Sequence, residues 1–366
     1  MIAHEHRNDC RENRIASTGA ILFSLFIALT FVAPDACAKD SRPKKADPKK
    51  LVPEKEGDLE LRSRRLGVMG TELFIEVLGP DAEKLELALD AAILEIQRVE
   101  DLMTDWRASP LMELNAQAGK GPQKTSLEIA RIVRQAKEIH AFTQGAFDVT
   151  FAAVGKLWDF KRKPPLVPKK EDVTLALPFV DASKIEVDVD AMTVTIPEGM
   201  SIGLGGIAKG YGVDRAMAIL MEHGIEHAMV NAGGDLKALG KKSGKLWEIA
   251  IKHPRDATRV IAVIPISNTC VVTSGDYERF FEIDGVRYHH ILDPCTGYPS
   301  TGSISATVVA PEAAMADAFA TALCVLGPEK GLPLIEQIPR VEALIVDLAG
   351  KVHSTSGLAG RVRSGE

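Results

Sequence analysis

Two short alternating segments joined by an Asp-Gly pair at 284–285 impose the strongest structural constraint on this chain. Residues 279–283 and 286–291 both alternate between apolar and polar side chains. An Asp-Gly pair between two such runs specifies a two-residue turn, because both turn positions require positive φ. The segment is therefore predicted to be an antiparallel hairpin in which Arg279 faces His290.

The remainder of the chain mixes helical and extended patterns. Helices are predicted over 81–103, 126–143, 208–223 and 311–327, and strands over 69–77, 228–231, 247–253, 262–266 and 341–347. Residues 187–196 are predicted to form a hairpin, and residues 161–178 an exposed Lys- and Pro-rich loop. The strands come in antiparallel-looking groups with helices between them. We therefore predict an α+β fold, with antiparallel-rich sheets and packed helices in two lobes, rather than a doubly wound parallel sheet.

The first 60 residues carry signals of export rather than of folding. An apolar run over 20–33 precedes Ala36-Cys37-Ala38, which is the pattern of a signal peptide cleaved after Ala38. The run is short for a membrane span, which needs about 20 apolar residues, so a retained N-terminal anchor is the alternative. The expected organisation is a signal peptide (1–38), a flexible linker (39–60) and one large domain (61–366), in a protein exported to the bacterial periplasm.

Composition narrows the class of partner. The 366-residue chain has a formal net charge of −6 and no stripe of Lys and Arg interleaved with aromatic residues. Nucleic acid, which is bound through such surfaces, is therefore not an expected partner. The five cysteines include no Cys-x-x-Cys pair, so the sequence does not indicate a structural zinc site.

A glycine-rich turn over 203–210 leads directly into a predicted helix. Free amides at the start of a helix bind anions, and Lys209 adds a positive charge there. The turn satisfies the loose Gly-x-Gly-x-x-Ala dinucleotide pattern, but the strand that follows ends at Asn231 rather than at the acidic residue of that motif. The segment fits either an anion site or a glycine turn required only for packing.

The predicted helix over 311–327 contains an isolated carboxylate. Between Ala313 and Leu326, Asp317 is the only charged residue, and Thr321 lies four positions later on the same helix face. A carboxylate on so apolar a helix is costly unless a cation or several hydrogen-bond donors meet it. Asp and Thr oxygens without His or Cys suit a hard ion such as Mg²⁺. Capping of a neighbouring backbone segment is the alternative role for Asp317.

The exit of the hairpin and two polar turns complete the candidate chemistry. His289 and His290 are consecutive, so they point to opposite faces of the strand and only one can lie in a cleft. A histidine at a strand end beside Asp293 suits general base work, although surface or core histidines are more common. The turns at 145–148 and 231–235 lie at element ends, where ligand-binding loops tend to occur.

Taken together and in order, these segments resemble the ApbE family of FAD:protein FMN transferases. The resemblance spans about residues 65 to 350. The matching stretches are MGT (69–71), DWRASPLMELNA (105–116), GAFDVT (145–150), GLGGIAKGYGVDRA (203–216), NAGGD (231–235), TSGDYERFFEIDGVRYHHILDPCTGYP (273–299) and ADAFATALCVLG (316–327).

The resemblance implies both a reaction and the residues that carry it. The reaction would be a Mg²⁺-dependent transfer of FMN from FAD to a Thr or Ser hydroxyl of a partner protein, an exported or membrane-bound electron-transfer subunit, with release of AMP. His290 would deprotonate that hydroxyl, and Asp317, Thr321 and the Gly206 carbonyl would hold Mg²⁺. The FAD site would be lined by Met69, Trp106, Ala146, Phe147, Asp148, Lys209 and Ile291.

One departure and three alternative functions accompany this interpretation. The family usually has Asp where this chain has Gly203, so a carboxylate expected to contact FAD is missing. An FAD pyrophosphatase would use the same site with water as the nucleophile. A passive flavin-binding protein would have no evident use for a buried cation site. An oxidoreductase built on the 203–208 turn would require parallel strand order, which the sequence does not indicate.

Overall fold

A computed structural model describes residues 59–360 and the backbone of 363–364. The predicted signal peptide and all but the last two residues of the predicted linker lie outside the described residues. The strands are β1 (Glu60–Val68), β2 (Thr71–Gly79), β3 (Gln123–Lys124), β4 (Glu186–Asp188), β5 (Thr193–Thr195), β6 (His227–Ala232), β7 (Asp235–Leu239), β8 (Trp247–His253), β9 (Asp256–Ile266), β10 (Thr269–Gly275), β11 (Phe280–Ile283), β12 (Val286–His289), β13 (Ser305–Ala310), β14 (Glu342–Val346), β15 (Val352–Ser354) and β16 (Arg363–Ser364). The helices are α1 (Ala82–Met103), α2 (Pro110–Asn115), α3 (Leu127–Phe142), α4 (Ala152–Gly155), α5 (Lys170–Ala176), α6 (Ala208–Glu222) and α7 (Ala313–Ile335).

The architecture is built on an eight-stranded sheet of order β1-β2-β6-β7-β10-β13-β14-β15, in which every neighbouring pair is antiparallel. Two smaller three-stranded sheets, of order β16-β9-β8 and β3-β5-β4, and the β11–β12 hairpin complete the strands of the described residues. The predicted α+β class with antiparallel sheets is therefore confirmed.

The central sheet is buried on both faces, with side chains that alternate between two hydrophobic cores. Ile75, Val230 and Val272 point into the larger core beneath the helices. Leu236 and Val271 point into a second core, which β8 and β9 cover through Trp247, Ile251, Ala262, Ile264 and Ile266. This alternation follows from the two-residue period of a strand. Because both faces of the sheet are buried, the strands at its centre are apolar on both sides.

Helices α1, α3, α6 and α7 form the layer on the larger core. Helix α1 begins at its N-cap Asp81, whose carboxylate accepts a hydrogen bond from the Lys84 amide at 3.1 Å. Helix α3 begins at the predicted N-cap Ser126. Within the described residues, α7 is long and apolar enough to cross a membrane, but 56% of that apolar window is buried inside the protein. We therefore interpret α7 as a core helix.

The β11–β12 hairpin confirms the register that the sequence predicts. Ile283 pairs with Val286 across a turn in which Asp284 has φ 51° and Gly285 has φ 75°. The Arg287 side chain donates hydrogen bonds of 3.0 and 3.1 Å to Glu282. Since the pairing continues to the amide of His290, which donates to the Arg279 carbonyl at 3.1 Å, the strand exit carries His290 as expected.

Three expectations about local structure are corrected. The 161–178 segment is not all loop: it contains α5, whose first turn carries Glu171 and Asp172, where the helix dipole favours acidic residues. Helix α7 begins at Ala313 rather than Pro311. It is broken at Gly327 (φ 70°, ψ 179°) but resumes to Ile335, because proline at 328 can open a new helical turn.

Several strands were also not predicted, including β1, β7, β10 and β13. Strands β10 and β13 are buried on both faces and read as apolar runs without alternation. Such runs cannot be assigned to strand or helix from their pattern alone.

Candidate active site

The N-termini of α6 and α7 meet at a very close backbone approach. A Cβ at Gly210 would lie 2.1 Å from the carbonyl oxygen of Ala313, so only glycine permits the contact. One turn further along α6, the Asp214 carboxylate accepts a hydrogen bond from the Ala314 amide at 2.9 Å and caps α7. This crossing brings the glycine-rich turn and the apolar helix, which are separated by about one hundred residues of sequence, to one place.

The crossing creates a buried cluster of three charged side chains. The Lys209 ammonium lies 2.8 Å from Asp235 Oδ2 and 3.2 Å from each carboxylate oxygen of Asp317. Asp317 Oδ2 also accepts a hydrogen bond of 3.3 Å from the Gly210 amide, one of the free donors at the start of α6. The side chains of Asp235 and Asp317 are 2% exposed, whereas that of Lys209 is 25% exposed, so Lys209 is the member of the cluster whose side chain reaches the surface.

Burial and charge act against each other in this cluster. Burial and the neighbouring Asp317 raise the pKa of Asp235 well above its usual range, although Lys209 opposes the shift. Burial by itself would lower the pKa of Lys209, but the charges of Asp235 and Asp317 outweigh that effect and raise it. Lys209 is therefore a permanent cation. Two carboxylates facing one ammonium carry an excess of negative charge, which an additional cation would neutralise.

Neutral oxygen donors lie beside the carboxylates. Thr321 Oγ1 is 3.5 Å from Ser274 Oγ, and a Cβ at Gly206 would lie 3.4 Å from Thr321 Oγ1, which places the glycine turn against this hydroxyl. The described residues contain no group of three His, Cys, Asp or Glu side chains that could hold a metal. A buried carboxylate with hydroxyl and carbonyl oxygens nevertheless fits Mg²⁺, which binds through one or two carboxylates and retains waters or phosphate oxygens.

The two histidines of the hairpin exit have different environments. His289 is 4% exposed, and its Nε2 lies 3.0 Å from the Ser300 carbonyl, as in a structural core residue. His290 is partly exposed, and its Nδ1 is buried without a hydrogen-bond partner among the described residues. Burial, reinforced by the positive charge of Arg279, lowers the pKa of His290 to about 4. Its imidazole is therefore neutral at pH 7, the form required of a base.

The predicted FAD-lining residues are divided between core and surface. Met69, Ala146, Phe147 and Ile291 are at most 6% exposed and belong to the larger hydrophobic core, whereas Trp106 is 59% exposed. A Cβ at Gly206 would lie 3.2 Å from the Phe147 ring, so Phe147 packs directly under the glycine turn. Side chains that are almost fully buried can contact a ligand only through a few atoms or through their backbone, whereas the exposed Trp106 ring can contact a ligand over its whole face. Their contact with FAD stays a prediction.

Asp148 acts on its own turn. Its Oδ1 accepts hydrogen bonds from the Thr150 amide at 2.8 Å and the Thr150 hydroxyl at 2.5 Å. Its Oδ2 lies 3.2 Å from both the Ala182 amide and His140 Nδ1. Burial alone would raise the pKa of Asp148, but hydrogen bonds from His140 and Thr150 lower it. The carboxylate therefore orders the turn that carries Phe147.

The position of Gly203 is crowded by a carboxylate that the sequence analysis did not single out. A Cβ at Gly203 would lie 3.4 Å from Asp105 Oδ2, 3.3 Å from the Phe151 ring and 3.2 Å from the Ala152 Cβ. Asp105 is exposed and immediately precedes Trp106. A negative charge is thus present near the turn although residue 203 has no side chain.

The described pockets do not include the charged cluster. One lies beside Phe179 and Gly199 and another beside Glu113 and Ser126.

Comparison with known proteins shows the family to which the chain belongs. Residues 69–345 match the model of the ApbE family. The chain belongs to the ApbE family. It is 35% identical over 320 residues to the FAD:protein FMN transferase of Treponema pallidum, covering 82% of this chain and 88% of that protein. The FAD:protein FMN transferase of Klebsiella pneumoniae is 34% identical over 284 residues, covering 76% of this chain and 87% of the relative.

Solved ApbE structures have the same fold. The ApbE protein of Thermotoga maritima superimposes with a TM-score of 0.75 at 34% identity, and the match covers 83% of this chain and 100% of the Thermotoga chain. The flavinyl transferase ApbE of Pseudomonas stutzeri does so with a TM-score of 0.73 at 28% identity, covering 83% and 97%. The predictions of family, fold class and transferase class are confirmed.

Three residues that the structure brings to the site carry no motif that predicts a role for them. Asp235 lay in the 231–235 turn, which was noted without a role for its carboxylate. Ser274 and Asp105 lay inside matching stretches but carried no motif of their own. The available signal for Asp235 was a carboxylate directly after two glycines at the start of a buried strand, a costly place for an unpaired charge.

Proposed function

We propose that this protein transfers FMN from FAD to a Thr or Ser hydroxyl of a partner protein, in a Mg²⁺-dependent reaction that releases AMP. The observation that carries the proposal is the contact between Lys209 and Asp317, which joins the glycine-rich turn to the carboxylate of the apolar helix. A dinucleotide diphosphate and a divalent ion would need these two elements in one place.

The residues of the cluster would bind and orient the diphosphate. Asp317, Thr321 and the Gly206 carbonyl would hold Mg²⁺, which supplies charge compensation for the diphosphate and for the leaving phosphate. The Lys209 ammonium and the amides at the start of α6 would neutralise the remaining phosphate oxygens. The protein thereby supplies position and charge, as in other phosphoryl transfers.

His290 would act on the incoming hydroxyl. Its neutral imidazole accepts the proton while the hydroxyl oxygen attacks the phosphorus on the FMN side of FAD. A phosphoester bond forms to the acceptor, the bond between that phosphorus and the bridging oxygen breaks, and AMP leaves with the bridging oxygen. Transfer needs no covalent enzyme intermediate, since the acceptor hydroxyl is itself the nucleophile.

Export belongs to the same proposal. The 20–33 apolar run and Ala36-Cys37-Ala38 support cleavage after Ala38 and delivery to the periplasm, where exported or membrane-bound electron-transfer subunits would be the acceptors. The mass of the protein recovered from cells tests this part, since a mature chain would begin at Lys39. A full-length mass in the membrane fraction would instead indicate a retained anchor.

A flavin-transfer assay tests the reaction. The purified protein, FAD and Mg²⁺ are mixed with exported electron-transfer subunits as acceptors, and the denatured acceptor band is examined for flavin fluorescence and for a mass increase equal to FMN less one water. We expect acceptor labelling and AMP release in equal amounts, with none when FMN replaces FAD or when EDTA is present. Free FMN and AMP formed equally fast without an acceptor would favour the pyrophosphatase instead.

A further inference from the structure

Asp235 is the member of the charged cluster to which no function has so far been assigned. It is the first residue of β7, directly after the Gly233-Gly234 turn, and its side chain is 2% exposed. A carboxylate buried so completely requires a strong partner. It accepts a hydrogen bond of 2.8 Å from the Lys209 ammonium, which lies farther, at 3.2 Å, from either oxygen of Asp317.

Lys209 and a divalent ion must share Asp317. The ammonium already lies within hydrogen-bond distance of both Asp317 oxygens. A divalent ion bound to that carboxylate repels the ammonium, which would leave Lys209 without a counter-charge if Asp317 were its only partner. The second carboxylate removes this conflict, because Lys209 can withdraw to Asp235 and still lie beside the ion.

We propose that Lys209 is a tethered counter-cation that shares Asp317 with the divalent ion, and that Asp235 is the positioning residue that retains Lys209 when the ion binds. This inference deepens the proposed function, on which it rests. It makes Asp317 the only carboxylate ligand of the ion and assigns Asp235 to the lysine. The ion and the ammonium would then contact the same diphosphate from adjacent positions.

Formal charges support this division. Two carboxylates and one ammonium sum to −1, and a divalent ion changes the sum to +1. A positive cluster suits the diphosphate of a dinucleotide, and the cluster without the ion does not. If Lys209 were absent, the pair of carboxylates would bind the ion more tightly but would retain no cation for the phosphate.

Binding of Mn²⁺ alone, without FAD or acceptor, tests the proposal. Titration of the intact protein should show that Lys209→Met binds Mn²⁺ about tenfold more tightly than the wild type, because a competing cation is removed. Lys209→Arg keeps the charge, and its Mn²⁺ affinity should stay within about twofold of the wild-type value.

The neighbouring Lys237–Asp214 pair, 2.5 Å apart, also joins α6 to β7 and provides the matched control. Lys237→Met should leave Mn²⁺ affinity unchanged. An affinity of Lys209→Met no tighter than that of the wild type would overturn the proposal.

Cysteine substitution separates a metal ligand from a lysine anchor. Thiolates prefer soft ions, so a ligand position changed to Cys gains preference for Cd²⁺ over Mn²⁺. Asp317→Cys should show this change and Asp235→Cys should not. The same Cd²⁺ preference in Asp235→Cys would make Asp235 a ligand and defeat the assignment. If Asp235→Cys does not fold, the lysine variants still decide the question. A wild-type protein that binds no Mn²⁺ would also defeat it, while the acceptor-labelling assay would separately decide the proposed function.

Discussion

The Lys209–Asp235–Asp317 cluster and the hairpin exit that carries His290 are both largely buried, yet they treat charge in opposite ways. In the cluster, the Lys209 ammonium lies 2.8 Å from Asp235 and 3.2 Å from Asp317, and the two carboxylates hold the lysine in its charged form against the cost of burial. At the hairpin exit, burial lowers the pKa of both His289 and His290, which leaves their imidazoles neutral, and Nδ1 of each is unpaired among the described residues. The charged cluster suits the binding of a diphosphate, and the hairpin exit suits a neutral general base.

The two sides also differ in what holds them in place. The cluster is fixed by contacts between elements of the main fold, including the Gly210–Ala313 backbone approach and the hydrogen bond from the Ala314 amide to the Asp214 carboxylate. The hairpin lies outside the central sheet and is held by side chains: Trp158 stacks at 5.9 Å on Tyr288 and at 6.4 Å on Phe281. Changes in the cluster should therefore alter charge and binding, whereas changes around the hairpin should alter position.

The largest effect is expected from Asp317→Asn. The substitution keeps the shape of the side chain but removes the charge on which a divalent ion would depend. We expect FMN transfer to fall by roughly 1,000-fold or more, which corresponds to several kcal/mol of lost stabilisation. Initial rates of acceptor labelling measure this, with Asp214→Asn as the control for loss of a carboxylate at the same helix crossing. Full activity of Asp317→Asn after residual metal has been excluded would contradict the cluster's role.

The next effect is expected from His290→Gln. If the hairpin exit supplies only the base, the variant should bind FAD with unchanged affinity but transfer FMN about 100 to 10,000 times more slowly. Fluorescence titration of FAD and the single-turnover labelling rate separate these two quantities. His289→Gln is the matched control, because His289 packs against Ser300 on the opposite face. Loss of FAD binding in His290→Gln would make His290 a binding residue.

The sequence predicts those features of the charged cluster and of the hairpin that depend on local patterns, but not the contacts between distant segments. Asp317 could be identified because a single charge on an apolar helix requires a partner, and the register of β11–β12 because an Asp-Gly turn determines it. The contact between Lys209 and Asp317 joins positions 108 residues apart, so no local pattern contains it. Family resemblance alone suggested that these segments lie together.

Asp148 illustrates what local reasoning could not separate. The polar turn at 145–148 was correctly placed at an element end, but a carboxylate there can face a ligand or its own backbone. The structure shows that its oxygens are occupied by Thr150, Ala182 and His140. The Ala182 amide comes from 34 residues away, a contact that no local pattern contains, and a contact between Asp148 and FAD stays a prediction.

Trp158→Ala tests the side-chain support of the hairpin. Trp158 is 6% exposed, stacks on the hairpin and donates a hydrogen bond of 2.9 Å to the Gly297 carbonyl. Its removal should lower the free energy of unfolding by about 3 kcal/mol, as for other buried aromatic residues, and should reduce transfer more than FAD affinity. Denaturant unfolding measures the first quantity. Trp158→Phe keeps the stacking and should lose less. A change below about 1 kcal/mol in Trp158→Ala would show that the stack does not support the hairpin.

The neutral state of His290 predicts a dependence of stability on pH. Its pKa is about 4 in the folded protein and 6.5 ordinarily, so between these values the unfolded chain binds a proton that the folded protein does not. The contribution is therefore fully present above pH 6.5 and is lost as the pH falls towards 4. At most it amounts to about 3 kcal/mol. His290→Gln should flatten the acid side of the stability profile by up to this amount. Parallel profiles for the variant and the wild type would contradict the lowered pKa.

The smallest effect, on FAD affinity, is expected from substitution of Asp105, the carboxylate beside Gly203. Asp105 supplies the negative charge nearest to this position, so Asp105→Ala should weaken FAD binding by about three- to tenfold, near 1 kcal/mol, because the carboxylate is exposed to solvent. Asp105→Asn distinguishes loss of charge from loss of shape.

Adding a carboxylate at 203 alone should not improve binding, since its Cβ would lie within 3.4 Å of Asp105, Phe151 and Ala152 and its charge would face Asp105. Gly203→Asp combined with Asp105→Gly moves the charge across the contact and should recover affinity that each single variant loses. If Asp105→Ala binds FAD as tightly as the wild type, the charge near Gly203 has no part in flavin recognition.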